Sequence, residues 1–212
     1  MKHRILAIRY FLGSCALSLA LGLVSFAQQA APPQGQPPAQ TPPKEYPTAR
    51  IEGLVKEWTR ARDYTKEYLD AMPADKYGFR AHDSIRSFAQ QMLHIAQATA
   101  GMAFFGTGSQ DKIIQNMFIK PPQVFEKSPS IQNKDSVVYY VNTSYNFMIN
   151  AMKSMDFTRL NEVVTQDLPG GKRSATRLGW LLKAFEHQTH HRGQCTVYLR
   201  LSGIRPPAEK LW

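Results

Sequence analysis

The chain has 212 residues, and 26 Lys plus Arg against 16 Asp plus Glu give it a formal net charge of +10. With 43% apolar and 20% charged residues it is neither disordered throughout nor a polytopic membrane protein. Its length suits one domain.

The first element is a targeting segment. Lys2, Arg4 and Arg9 precede the apolar run Ala16 to Val24, and Ser25-Phe26-Ala27 sets small residues where a signal peptidase reads. The pattern predicts a signal peptide over residues 1–27, export to the periplasm or the outside, and a mature chain beginning at Gln28. A retained anchor needs about 20 apolar residues, more than this run supplies, so no membrane span is expected after cleavage. A lipoprotein reading of Cys15 puts the apolar stretch on the wrong side of the cysteine. Loss of three cations leaves 23 against 16, or +7. Outside the cytoplasm such a charge does not point to nucleic acid, and none is expected as a partner. Cys15 leaves with the signal peptide, so Cys195 is the single mature cysteine and no intramolecular disulfide can form.

Residues 28–47 are rich in Pro and Gln, with seven of the fourteen prolines between Pro32 and Pro47, and predict an extended linker. The folded part is expected over residues 48–206, with 207–212 as a short tail. Ile51, Leu54, Val55, Trp58, Ala61, Thr65, Tyr68, Leu69 and Met72 recur at helical spacing up to Pro73 and predict a first helix. Ile85, Phe88, Met92, Ile95, Thr99, Met102 and Ala103 predict a second, capped by Asp83 or Ser84 and running until Gly106. The proline-bearing stretch to Asn133 is long for a bare connection, and Lys112 to Phe118 has room for a short helix. A third long helix follows, capped by Asn133 or Asp135, with Val137, Val141, Tyr145, Met148, Met152 and Met155 on its apolar side. Val163-Val164-Thr165 followed by Pro169-Gly170-Gly171 suggests a hairpin. The last helix is expected from Ser174, with Leu178, Leu181, Leu182, Phe185, Val197 and Leu201 filling its apolar side. The fold class is all-α, a four-helix bundle.

Five histidines remain after cleavage, and three crowd into His187-Gln188-Thr189-His190-His191. His187 and His191 are four apart, so on a helix both project from one face, a spacing that suits a metal ion. Further ligands must then come from elsewhere, and a solvated histidine pair gives the same pattern. His94 on the second helix is the candidate third ligand. It lies among Gln90, Gln91, Gln97 and Ala98, a polar and small face that is equally consistent with plain exposure. His190 points aside and reads as surface, able to pair with Glu186; His82 reads as solvent-facing. Gln188 stands where a zinc protease motif needs a glutamate base, which excludes that chemistry. Cys195 reads as a buried small residue, and Met148, Met152 and Met155 read as core.

Asp75-Lys76-Tyr77-Gly78-Phe79-Arg80, then Arg86-Ser87-Phe88 leading to Leu93-His94-Ile95-Ala96, and later His187 with His190-His191-Arg192-Gly193-Gln194, resemble the DinB/YfiT-like family. The resemblance covers residues 48–206. It implies a four-helix bundle in which one histidine of the second helix and two of the last bind a divalent metal ion in an open cleft. The ligands then fall on His94, His187 and His191, and zinc, nickel, iron or manganese is the expected ion. Members of the family include thiol-dependent transferases and isomerases as well as proteins with no established activity. The expectation is therefore an exported metal-binding protein, a metal-dependent hydrolase or thiol transferase acting on a small molecule. The alternative is a non-catalytic metal-binding or stress-associated bundle. No Asp or Glu is tied to the cleft by any motif, so no general base is named, and the apolar helix faces would allow a homodimer.

Overall fold

The computed structural model describes residues 46–168 and 170–212. The expected signal peptide and nearly all of the expected linker lie outside the described residues. Helix α1 spans Tyr46–Ala71, α2 Phe88–Thr107, α3 Lys112–Phe118, α4 Pro122–Phe125, α5 Lys134–Ser154 and α6 Arg177–Leu201. Between α5 and α6, strands β1 (Val163–Leu168) and β2 (Gly171–Thr176) form an antiparallel hairpin.

The long helices α1, α2, α5 and α6 make the bundle. Both α1 and α2 pack against α5 and α6, so the circuit runs α1, α5, α2, α6, with α1 and α2 across the diagonal. Each helix turns its apolar stripe inward. Trp58 of α1 is fully buried at the centre, edge-on to Tyr145 of α5 and to Phe185 of α6, with ring centroids 5.5 Å apart in both cases. Phe88, Met92, Leu93 and Ile95 complete the layer from α2, and Met148 and Met152 from α5. Met155 and Cys195 are buried as well, as their apolar neighbours predicted.

Three local expectations are corrected. Helix α2 starts later than predicted: Ser87, not Asp83 or Ser84, is its cap, and Ile85 is 41% exposed ahead of it. Ser87 Oγ accepts from the Gln90 amide while Gln90 Oε1 accepts from the Ser87 amide, a reciprocal box that satisfies two free amides at once. The amides of Phe88 and Ala89 bond back to Phe79 and Tyr77, which fixes the preceding loop under the helix end. Helix α6 is capped by Thr176, because Ser174 belongs to β2, where its hydroxyl meets Thr165 at 2.7 Å. Along α6, Leu182, Val197 and Leu201 are exposed rather than core-filling, and Trp180, Ala184, Tyr198 and Leu199 are buried instead.

Helices α2 and α6 approach closely where α2 ends and α6 begins. A side chain on Gly106 would bring its Cβ within 2.7 Å of Leu181 and 3.2 Å of the Arg177 carbonyl, so a larger residue would have to push Leu181 aside and crowd the α6 backbone. At the hairpin end, Gly170 and Gly171 have φ of 92° and 109°, the left-handed region a tight turn requires. Trp180 Nε1 donates to the Val164 carbonyl at 3.0 Å and ties the hairpin to the start of α6.

Candidate metal centre

Helix α2 presents His94 two turns after its cap, and α6 presents His187 and His191 one turn apart. The structure brings the three together: one nitrogen from each lies within 4.8 Å of the others. Ring centroids are 5.0 Å apart for His94 and His187, 4.6 Å for His94 and His191, and 4.4 Å for His187 and His191. His190 lies outside this group. Its Nε2 is 3.0 Å from Gln194 Nε2, and it makes no ion pair with Glu186 among the described residues. His82 is exposed and bonded to the Ser84 hydroxyl.

The polar face around His94 is not solvated. Gln90, Gln91 and Gln97 are all buried. Gln97 Nε2 donates to the carbonyls of Met117 and Lys120, pinning the connection that carries α3 against α2. His191 Nδ1 lies 2.9 Å from Gln194 Oε1 and 2.7 Å from the Gln91 amide nitrogen, and Gln91 also bonds to Gln194. With the proton on Nδ1 and shared with Gln194 Oε1, the Nε2 lone pair is the one left for a ligand.

Sequence reasoning missed the group that fixes His94. Glu126, directly after α4, is 4% exposed, and its Oε1 lies 2.5 Å from His94 Nδ1. Arg86 Nε donates to the other carboxylate oxygen at 2.6 Å. Burial pushes the Glu126 carboxyl up, but hydrogen bonds from His94 and Arg86, with their charge, outweigh it and hold the group below its ordinary range. An ionised Glu126 takes the Nδ1 proton of His94 as a hydrogen bond and turns the Nε2 lone pair of that ring toward the other histidines. Glu126 and Asp111 are the only acids between α2 and α5, and Asp111 caps α3, so the leftover carboxylate was the available signal.

The donor set fits a cation. Burial, reinforced by the neighbouring histidines, lowers the His187 imidazole to about 3, and burial also takes His191 down to about 4. Both rings are therefore neutral at neutral pH, with lone pairs to give. His187 Nδ1 is buried with no hydrogen-bond partner among the described residues, an orphaned polar atom at the heart of the cluster. Gln188, next along the helix, faces the core instead, accepting from Tyr145 at 2.9 Å. Burial pushes the Cys195 thiol up, so it offers no thiolate.

Beside the cluster lies an open cleft of about 770 Å³. It is lined by His191, Gln91 and Gln194, by Glu126 and Arg86, and by Tyr198, whose hydroxyl donates to the Arg86 carbonyl at 2.7 Å. Of the three histidines, His191 is the one that lines this cleft.

The profile of the DinB family matches residues 46–211. Among solved structures, the chain resembles a DinB-like protein from Bacillus cereus at 20% identity with a TM-score of 0.59, over 76% of this chain and 97% of that one. A DinB-like protein from Bacillus subtilis is similar at 18% identity and a TM-score of 0.53, over 76% and 96%. No curated protein matches the chain. The two structures share the fold, and with a profile match that spans the whole described bundle, the chain belongs to the DinB family.

Proposed function

We propose that this protein binds one divalent metal ion through His94, His187 and His191 and uses it on a small molecule held in the adjoining cleft, as a metal-dependent hydrolase or thiol transferase. The observation that carries the reading is the convergence of three imidazoles from two helices, two of them kept neutral by burial and one with a buried, unpartnered nitrogen. A divalent ion in such a set supplies a Lewis acid that lowers the pKa of water or a thiol toward neutrality. The chain's own residues set up that chemistry. Glu126 holds the His94 ring in one tautomer and raises its basicity, Arg86 holds Glu126, and Gln91 with Gln194 holds His191. Imidazole ligands suit zinc, nickel and iron, and manganese is the poorest match of the four expected ions.

A second reading, a non-catalytic metal-binding bundle, draws on the same pair of contacts. Glu126 is the one carboxylate that touches the histidines among the described residues, and it is committed to His94 and Arg86, so it is not free to take a proton from substrate. Metal analysis of untagged protein, followed by hydrolase and thiol-transfer assays with the metal restored, separates the two. One ion per chain is expected in the wild type and far less after His94→Ala, His187→Ala or His191→Ala, with His190→Ala near wild type. A wild type that stays metal-free after incubation with all four ions ends both readings. The proposal includes export with cleavage after Ala27, resting on the basic, apolar and small-residue order of residues 1–27. N-terminal sequencing of native material should begin at Gln28.

A further inference from the structure

Helix α6 advances roughly 100° per residue, so it carries two chemically distinct faces. His187, His191 and Gln194 occupy one. Thr189, Arg192, Thr196 and Arg200 occupy the other, which faces a separate cleft of about 530 Å³ walled by Tyr64 and Tyr68 of α1 and by residues 205–209 and 211.

Arg192 is 5% exposed and always charged. Its Nη1 does all its bonding, to Gln188 Oε1 at 2.9 Å and to the Ala61 carbonyl and Thr65 Oγ1 at 3.4 Å. The guanidinium lies over the Tyr64 ring, 4.6 Å from its centroid. Among the described residues no carboxylate is within ion-pair distance, and Nε and Nη2 have no hydrogen-bond partner. The other buried guanidinium among the described residues is treated differently: Arg177 is paired with Glu162. A buried cation without a counter-ion is unfavourable unless something of opposite charge reaches it.

The cleft in front of Arg192 is built to admit such a group. Arg200 and Arg205 line it, against a single acid, Glu209. Gly193 leaves open space beside Arg192, with no atom within 4 Å of where a Cβ would stand. Tyr68 and Thr196 are bonded hydroxyl to hydroxyl at 3.0 Å across the cleft wall. The C-terminal segment is held along α1 by Arg60, which donates to the Lys210 carbonyl, and by the ion pair of Lys210 with Glu67.

We infer that this cleft is a second binding site, for the phosphate or carboxylate group of a small molecule, with Arg192 as its buried anchor and Arg200 and Arg205 as its rim. A planar guanidinium with two unused donors matches an oxyanion in a way no single-point cation does. The occupant's anionic group would supply the counter-charge that the protein withholds from Arg192.

The test is calorimetric titration of the full mature chain at constant ionic strength, stripped with a chelator so that no anion reports on the histidine cluster. The probes are inorganic phosphate and succinate. Saturable one-to-one binding of at least one is expected; phosphate alone assigns a phosphate group, succinate alone a carboxylate. The exposed double variant Arg200→Gln, Arg205→Gln should weaken binding at least tenfold. Arg192→Lys, which keeps the charge and loses the fork, should weaken it similarly while circular dichroism stays helical. Three results overturn the inference: no saturable binding of either anion to the folded wild type, equal binding by the double variant, or loss of binding in His187→Ala.

Discussion

Glu126 decides which nitrogen His94 can offer. The Nδ1 contact at 2.5 Å is shorter than the 3.3 Å from the same atom to Arg86 Nη2, so the carboxylate, not the guanidinium, sets the tautomer. Glu126→Gln preserves size and a hydrogen-bond acceptor but removes the charge, and metal affinity should fall by about 10- to 100-fold. Competition with a metal-binding dye, at matched helicity, measures this; unchanged affinity would mean that Glu126 serves only to pair Arg86. His187 and His191 make a prediction about pH in the metal-free protein. Their folded pKa values, about 3 and about 4, lie below the 6.5 of the free side chain, so the unfolded chain binds more protons between those limits. Stability is then fully present above about pH 6.5 and declines as the pH falls through that window, more through His187 than through the less buried His191. Glu126 adds to the decline at the acid end, because its lowered pKa favours the folded state only while it is ionised. Urea titrations at pH 7, 5.5 and 4.5 should show a falling midpoint, and a flat series would mean the rings charge in place.

At the scale of the helix, cap placement is testable by contrast. Ser87→Ala should lower stability by about 1 kcal/mol through loss of the reciprocal contact with Gln90, whereas Ser84→Ala, in the exposed turn with His82, should change it little. Urea denaturation of the two variants reads the difference. The helices themselves were legible, because the apolar residues of α1, α2 and α5 recur with a period that only a helix satisfies. The start of α2 was misplaced because Ile85 mimics the stripe, although Ser87 and Gln90 already carried the pattern of a capping box. Burial along α6 was harder to read. Leu182, Val197 and Leu201 look like core, but bundle geometry gives that helix two polar faces, each fronting a cleft. Two of the clustered histidines were legible from their spacing, while His94 was a candidate by its place on the second helix that plain exposure matched equally until the family resemblance singled it out. Glu126 was not, since its partner is 32 residues away and only the folded connection brings them together.

The whole bundle should stand without an ion. Its core joins all four long helices around Trp58, and a buried Leu, Ile or Phe contributes roughly 1.5 to 3 kcal/mol, so the fold does not depend on a metal as a zinc finger does. Chelation should leave the helical circular dichroism signal in place and lower the melting temperature. Free metal at one hundred times its dissociation constant contributes about 2.7 kcal/mol. Collapse of the helical signal on chelation would instead make the ion a structural staple.

The circuit of the bundle also sets an order of events. The histidines come from α2 and from the last helix of the chain, with the connection and hairpin between them, so no local segment can assemble the cluster. The complete three-histidine set therefore exists only once α6 has docked on α2. An ion held by all three would act on the return journey, and adding metal should slow unfolding more than it speeds folding.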